Sequence, residues 1–246
     1  MKIKKYRKLG MITLWTLSLG IYLNWYTRDI IDQILYDLLN NNEYVLEREE
    51  IDEILSNYSQ LRYDELPKAY QNYGKLNEPE YQGEQKNLVY NQLKKKEVYR
   101  RIVGNIRIKD LICRDKYYKR SFLFTKAPLY WVIDNEILYK LLELQEKLSE
   151  NGYDRNGFRV KEGYRHPNYN EKVGGASSSR HIRGEAVDMV IKDVNKDGRY
   201  SEKDKMIILE LCEDHVIGNK GGIGKYPGTK IVHIDVRGRK ARWNSY

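Results

Sequence analysis

Apolar residues recur at helical spacing in two segments of the second part of the chain. Asp134 is a candidate helix N-cap, and the apolar residues after it share one helical face: Ile137, Leu138, Leu141, Leu142 and Leu148. Residues 201–216 carry a second helical pattern. Both segments are predicted to be helices.

Three further segments have the composition of β-strands. They are residues 157–165, 185–191 and 230–236, and a glycine-rich loop at 218–228 precedes the last of them. Helices and strands do not alternate as they do in parallel β-α-β units. The pattern therefore predicts an α+β domain over residues 104–246, with a mostly antiparallel sheet and flanking helices.

The residues before this domain are polar, rich in tyrosine and weakly periodic. They begin with a helical stripe of apolar residues: Ile30, Ile31, Ile34, Leu35, Leu38 and Leu39. Proline and glycine recur between residues 66 and 85, which is typical of loops. Residues 29–103 are therefore predicted to be a helical and loop spacer, or a small helical subdomain, of unknown role.

The N-terminus has the pattern of a membrane anchor. Five of the first eight residues are basic, and residues 9–26 carry no charge. At the helical rise this uncharged segment reaches ~27 Å, close to the thickness of a bilayer core. The basic flank predicts a single-pass anchor at residues 1–28, with the rest of the chain outside the cytoplasm. A cleaved signal peptide and a buried core helix are the alternatives.

The net charge of the chain narrows the class of partner. A formal net charge of +9 indicates nucleic acid, a membrane surface or an anionic cell wall as partner. A domain outside the cytoplasm would not meet nucleic acid, so the cell wall is favoured.

Cys113 and Cys212 could form a disulfide in an exported chain, but a buried thiol fits the apolar surroundings of Cys212 equally well.

Two histidines and two aspartates near the predicted strands could share one site. His181 and Asp188 flank a glycine turn, and His233 and Asp235 should face the same side of a strand, being two residues apart. Two histidines and an aspartate are good zinc ligands that leave a fourth position for water. Zinc lowers the pKa of that water, and a nearby carboxylate can take its proton. Spacing alone is a weak signal for such a site.

Four ordered motifs carry a family resemblance: "EGYRHPNYN", "GGASSSRHIRGEAVDM", "GGIGKYP" and "VHIDVRGRKARW". They resemble the zinc peptidases of the D-Ala-D-Ala carboxypeptidase group, peptidase M15, which includes peptidoglycan endopeptidases and shares its fold with the hedgehog signalling domain. The family pattern S-x-H-x-x-G-x-A-x-D is met by Ser179, His181, Gly184, Ala186 and Asp188. The likeness covers the predicted α+β domain and leaves out the segments before it.

The resemblance implies that His181, Asp188 and His233 bind zinc. It also implies that Arg165, in the "GYR" motif, binds the substrate or stabilises the oxyanion. A guanidinium suits both tasks, because it can form paired hydrogen bonds to a carboxylate or to a developing negative charge.

The catalytic carboxylate departs from the family pattern. Many relatives carry it three residues before the last ligand, where this chain has Lys230. Asp235 is then the expected catalytic residue, either as general base or as a partner that orients the site. An exchange of roles with His233, which would make Asp235 a ligand, also stays open.

A second metal site is predicted at residues 193–204, "DVNKDGRYSEKD", which match the EF-hand calcium loop except for an aspartate at position 12. Gly198 falls at the position of the sharp turn. The predicted calcium ligands are Asp193, Asn195, Asp197, Arg199 through its carbonyl, Ser201 and Asp204. A calcium ion here would brace the fold, and an ordinary solvated turn is the alternative.

Together these features predict a membrane-anchored zinc peptidase that acts on peptidoglycan stem peptides outside the cytoplasmic membrane. Carboxypeptidase and endopeptidase activity both stay open, because they use the same ligands. A non-catalytic binding module of the same fold is the alternative, favoured by the missing carboxylate at Lys230. A freely diffusing phage-type lytic enzyme fits the predicted anchor less well.

Overall fold

The computed structural model describes residues 26–40, 42–124 and 127–244. Residues 26–40 form helix α1, which belongs to a different compact unit from the one that starts at Glu43. The predicted apolar stripe is helical, and its side chains are exposed: Ile30, Ile31, Ile34, Leu35, Leu38 and Leu39. Within the described ranges, no helix is both long and apolar enough to cross a membrane. The predicted span at residues 9–26 lies outside these ranges except for its last residue.

The second unit, Glu43–Tyr246, contains the other helices and the strands. Its α-helices are α2 Arg48–Ser56, α3 Lys68–Gly74, α4 Pro79–Gln85, α5 Ile108–Leu111, α6 Lys116–Phe124, α7 Asn135–Glu150, α8 Pro167–Lys172 and α9 Glu202–Leu211. Its strands are β1 Ser59–Leu61, β2 Tyr90–Leu93, β3 Arg101–Val103, β4 Ile106–Arg107, β5 Leu129–Trp131, β6 Phe158–Glu162, β7 Ala186–Ile191, β8 Gly222–Lys225, β9 Ile231–Asp235 and β10 Ala241–Asn244. The unit also contains a 3-10 turn at Arg180–Arg183 and a π-helical turn at Cys212–Val216.

Residues 43–103 belong to this unit and contain strands as well as the predicted helices and loops. Strand β2 lies between β1 and β5 in a three-stranded antiparallel sheet, so strands from both sides of residue 103 share one sheet. Val45 also forms a β-bridge with Gly104. Strand β2 reads "YNQL", and such a short and polar segment has little of the alternation that predicts a strand.

The site lies on a five-stranded sheet with the strand order β10–β8–β9–β7–β6. Neighbouring strands are antiparallel except for β8 and β10, so the predicted α+β class with a mostly antiparallel sheet is confirmed. Strands β6, β7 and β9 lie within the three predicted strands. Strand β8 lies inside the predicted glycine-rich loop and β10 was not predicted, because neither has a recognisable apolar pattern.

Helix α7 supplies much of the core, as its pattern predicts. The side chain of Asp134 caps it by accepting a hydrogen bond from the backbone N–H of Glu136 at 2.9 Å. The predicted apolar face is buried: Ile137, Leu138, Leu141, Leu142 and Leu148. The predicted second helix is present as α9 and the π-helical turn that follows it. Cys113 and Cys212 are free, buried thiols and form no disulfide.

Candidate metal centre

One residue from each strand of the five-stranded sheet lies in a single row across the sheet. From one edge to the other, the register pairs Glu162, Asp188, His233, Gly224 and Trp243. Residues that lie directly opposite each other on neighbouring strands present their side chains to the same face. The row therefore brings two predicted zinc ligands, a further carboxylate and an indole to one face of the sheet.

The three predicted zinc ligands converge on a single point. Oδ1 of Asp188 lies 2.9 Å from Nδ1 of His233 and 3.3 Å from Nε2 of His181. All three side chains are buried, and one donor atom from each lies within 4.8 Å of the others. The structure thus assembles the trio that the sequence predicts, from one 3-10 turn and two neighbouring strands.

His181 is held by the 3-10 turn at the glycine motif. Its Nδ1 lies 2.6 Å from the carbonyl oxygen of Gly163, so Nδ1–H donates there and Nε2 keeps a free electron pair. Gly184 ends the turn with a φ of +70°, and a Cβ at this position would lie 2.5 Å from the carbonyl oxygen of Val132. Glycine is therefore required at this position of the motif.

Asp235 contacts His233 through the ring nitrogen that faces away from the trio. Its Oδ2 lies 3.1 Å from Nε2 of His233, as expected for residues two apart on one strand. The same carboxylate accepts hydrogen bonds from the Arg237 side chain at 2.7 and 2.5 Å and from the backbone N–H of Gly222 at 3.1 Å. Asp235 is completely buried and does not line the cavity beside the trio.

Nε2 of His181, Nδ1 of His233 and Oδ1 of Asp188 face one another. Burial lowers the pKa of His181. Burial would raise the pKa of Asp188, but hydrogen bonds with His181 and His233 outweigh it and hold this pKa well below its ordinary value. Burial would lower the pKa of His233, yet its bonds to Asp188 and Asp235 raise it overall. A divalent cation between the three donors would satisfy them without extra protons, and two nitrogens with one oxygen fit Zn²⁺.

A basic cavity of about 760 Å³ opens beside the trio. Lys161, Arg180 and Arg237 line it together with Trp243. The indole of Trp243 lies 5.1 Å from the His233 ring, measured between ring centroids, and the Arg237 guanidinium lies 4.9 Å from the centre of the same indole. The cavity therefore offers cationic and aromatic surface next to the candidate metal position.

Arg165 lies in the cavity wall between two carboxylates. Its Nε donates to Oε2 of Glu162 at 2.7 Å, and a terminal guanidinium nitrogen donates to Oδ2 of Asp188 at 2.6 Å. Its backbone N–H donates to the carbonyl oxygen of His181 at 3.0 Å, which joins the "GYR" motif to the histidine turn. The structure thus brings Arg165 to the site, and its contact with a substrate stays a prediction.

Several residues that line the cavity were not identified from the sequence, and three of them contact the other site residues: Glu162, Arg237 and Trp243. All three lie inside the motifs that carry the family resemblance. Their place in the site depends on strand register and on the pairing of β10 with β8, which the apolar pattern does not reveal.

The predicted calcium loop is closed by its own hydrogen bonds. Asp193 accepts hydrogen bonds from the backbone N–H groups of Asp197 and Gly198 at 3.0 and 2.8 Å. The buried Asp204 accepts four more, from the backbone N–H groups of Val194, Asn195 and Ser201 and from the Ser201 hydroxyl. Among the described residues, the loop is not one of the groups whose side chains converge as metal ligands. The structure gives no support to calcium, because these oxygens serve the turn itself.

A second cluster of ligand-type side chains lies apart from this centre: Cys113, Asp115 and His166. Nε2 of His166 lies 3.0 Å from Oδ2 of Asp115, and Nδ1 accepts a hydrogen bond from the backbone N–H of Tyr169 at 3.1 Å. The Tyr73 hydroxyl donates to the same Asp115 oxygen at 2.5 Å. Both ring nitrogens are thus occupied, and burial raises the pKa of the Cys113 thiol. Because Tyr73 belongs to α3, its hydrogen bond to Asp115 links this helix to the rest of the unit.

Comparison with known proteins supports the resemblance. A family model described as Peptidase M15 matches residues 106–235, more than half of the chain. The matched segment contains Arg165, the converging trio and Asp235. No curated protein and no solved structure matches the chain. The family match and the assembled motifs agree, and the chain belongs to the peptidase M15 family.

Proposed function

We propose that the protein is a zinc-dependent peptidase that hydrolyses peptide bonds in peptidoglycan stem peptides. The observation that carries the proposal is the convergence of His181, Asp188 and His233 beside a basic cavity. Membership of the peptidase M15 family supports the reaction class, and the family is generally zinc-dependent.

The chain's own donor atoms define where the metal would bind. Nε2 of His181, Nδ1 of His233 and Oδ1 of Asp188 would hold it, because the other polar atoms of these side chains already bond to the protein. When bound, zinc supplies a Lewis acid that activates water and polarises the peptide carbonyl.

Asp235 acts by orienting His233. A carboxylate on the outer nitrogen of a metal-binding histidine fixes its tautomer and ring position and increases its basicity as a ligand. Asp235 is completely buried and does not line the cavity, which favours this role over that of a base in contact with substrate.

Arg165 binds the negative charge of the substrate. Its guanidinium lines the cavity within hydrogen-bond distance of the ligand Asp188, so it is adjacent to any carbonyl that approaches the metal. Planar guanidinium groups bind carboxylates and developing oxyanions well.

The positive wall of the cavity favours a peptide that carries carboxylates. Lys161, Arg180 and Arg237 line the cavity, the two arginines in ion pairs with Glu185 and Asp235, and the whole chain carries a net charge of +9. Stem peptides of the cell wall have this anionic character. Both D,D-carboxypeptidase and endopeptidase cleavage are compatible with such a cavity.

We place this activity outside the cytoplasmic membrane, with the protein anchored by residues 1–28. The basic flank followed by the uncharged segment at residues 9–26 supports this location. Cell fractionation tests it: the expected result is full-length protein in the membrane fraction, and a soluble protein that begins well after Tyr26 would contradict the anchor.

Mass spectrometry of purified peptidoglycan digested with the zinc-loaded protein tests the proposed reaction. The expected result is new fragments that differ from the starting material by one hydrolysed peptide bond, and their masses identify the bond. The His181→Ala variant should give none, whereas His215→Ala should match the wild type because His215 is exposed.

A non-catalytic binding module remains the second candidate, on one observation. Lys230 occupies the position where many relatives carry the catalytic carboxylate, and its ammonium lies 4.3 Å from the centre of the Tyr200 ring. This candidate predicts that the zinc-loaded protein binds cell-wall peptides and leaves them uncut.

A further inference from the structure

A β-bulge turns Glu162 toward the candidate metal centre. Val160 lies opposite Met189, but Glu162 lies opposite Asp188, so β6 has one extra residue, Lys161, at this point. Without this extra residue, Glu162 would lie opposite the residue of β7 that precedes Asp188. Adjacent residues of a strand face opposite sides of the sheet, so Glu162 would then point away from the site. Bulges redirect side chains in this way and are frequent beside active sites.

The bulge brings the Glu162 carboxylate close to a predicted metal ligand. One terminal nitrogen of Arg165 contacts both Oε2 of Glu162 and Oδ2 of Asp188, so these two oxygens lie within two hydrogen-bond lengths of each other. Oε1 of Glu162 has a longer contact, 3.4 Å from the Tyr169 hydroxyl. The side chain lines the cavity and is 23% exposed, so a substrate can reach it.

The other carboxylates near the trio do not meet these conditions. Asp235 is completely buried and does not line the cavity. Asp188 belongs to the trio itself. Among the described residues that line the cavity, Glu162 is the remaining carboxylate.

We propose that Glu162 is the catalytic carboxylate of this site, in place of the residue missing at Lys230. This inference rests on the proposed peptidase function. As the water oxygen bonds to the peptide carbonyl carbon, Glu162 accepts a proton from that water. It then delivers the proton to the amide nitrogen while the C–N bond breaks, which yields a carboxylic acid and an amine without any further reactant. Arg165 holds the carboxylate at the cavity wall through Oε2.

Glu162→Gln tests this role, because the amide keeps the size of the side chain and cannot accept the proton. The variant should still bind one zinc per chain and bind an uncleaved peptidoglycan peptide with unchanged affinity. Its turnover should fall by about 10²–10⁴-fold, the range of a lost general base. Glu162→Asp should recover part of the lost turnover. Glu171→Gln is the matched control, since Glu171 pairs with Lys75 on the surface and does not line the cavity.

Three results would overturn the inference. Turnover of Glu162→Gln within a few-fold of the wild type would show that the carboxylate is not needed. Loss of zinc in Glu162→Gln would make Glu162 part of the metal support. A wild type that binds zinc but cleaves no peptide would contradict the proposed function itself, whereas the first two results would contradict only the role of Glu162.

Discussion

Oδ2 of Asp235 lies 3.1 Å from Nε2 of His233, on the side of the ring opposite Asp188. A carboxylate only accepts hydrogen bonds, so this contact places a proton on Nε2, and Nδ1 is the ring nitrogen that faces Asp188 and the converging trio. Gly222 and Arg237 fix the carboxylate in turn. One buried acid thus sets the tautomer of one predicted ligand, which is the arrangement that favours metal binding.

Asp235→Asn should therefore weaken zinc binding while the fold is retained. The amide can still accept a hydrogen bond from His233, but it loses the negative charge that supports the ring and balances Arg237. We expect a fall of about 10–100-fold in zinc affinity, measured by competition with a chromogenic chelator. Asp214→Asn, at an exposed position, is the control. Unchanged zinc affinity in Asp235→Asn would refute the orienting role.

Gly224 leaves the space that Trp243 occupies beside His233. A Cβ on Gly224 would lie 2.7 Å from the Trp243 ring, which is closer than real side chains approach. Gly224→Ala should displace the indole, lower stability by about 1–3 kcal/mol and raise the KM for peptide. Gly83→Ala, where nothing lies within 4 Å of the added atom, should leave both unchanged or slightly improve stability. Thermal unfolding and steady-state kinetics of the two variants provide the comparison.

The sequence was enough for the fold class and for the three converging side chains, because each depends on local spacing. His181 and Asp188 are fixed by a turn motif with its glycine, and His233 lies on a strand with a clear apolar pattern. Glu162 could not be found in this way, because a single extra residue decides which face it occupies. The burial of Asp235 was equally hidden, since it depends on how β8 and Arg237 close over it.

The Tyr73–Asp115–His166 contacts should make stability depend on pH. Burial would raise the pKa of Asp115, but hydrogen bonds from His166 and Tyr73 outweigh it and lower the pKa below its ordinary value. A lowered carboxyl pKa stabilises the fold above about pH 4, and this contribution is lost as pH falls through the folded-state pKa.

Asp115→Asn should thus be less stable than the wild type at pH 7, by about 1–3 kcal/mol, with a smaller difference at pH 3. Urea unfolding at the two pH values measures both. Asp64→Asn, at an exposed position, should show neither effect. A difference that is independent of pH would contradict the assignment.

Asp204 should stabilise its loop without calcium. It is buried and accepts four hydrogen bonds from the loop, so Asp204→Ala leaves buried donors without partners. We expect a loss of about 2–4 kcal/mol that is the same in chelator and in calcium. If calcium instead raises the melting temperature of the wild type but not of an Asp193→Ala, Asp197→Ala variant, the calcium site predicted from the sequence is present after all.

Elemental analysis of the purified full-length protein tests the central claim most directly. The account predicts one zinc per chain in the wild type and in His215→Ala, and almost none in a His181→Ala, His233→Ala double variant that remains folded. Zinc below stoichiometric amounts in the wild type after dialysis against the metal, or zinc retained unchanged in the double variant, would contradict it.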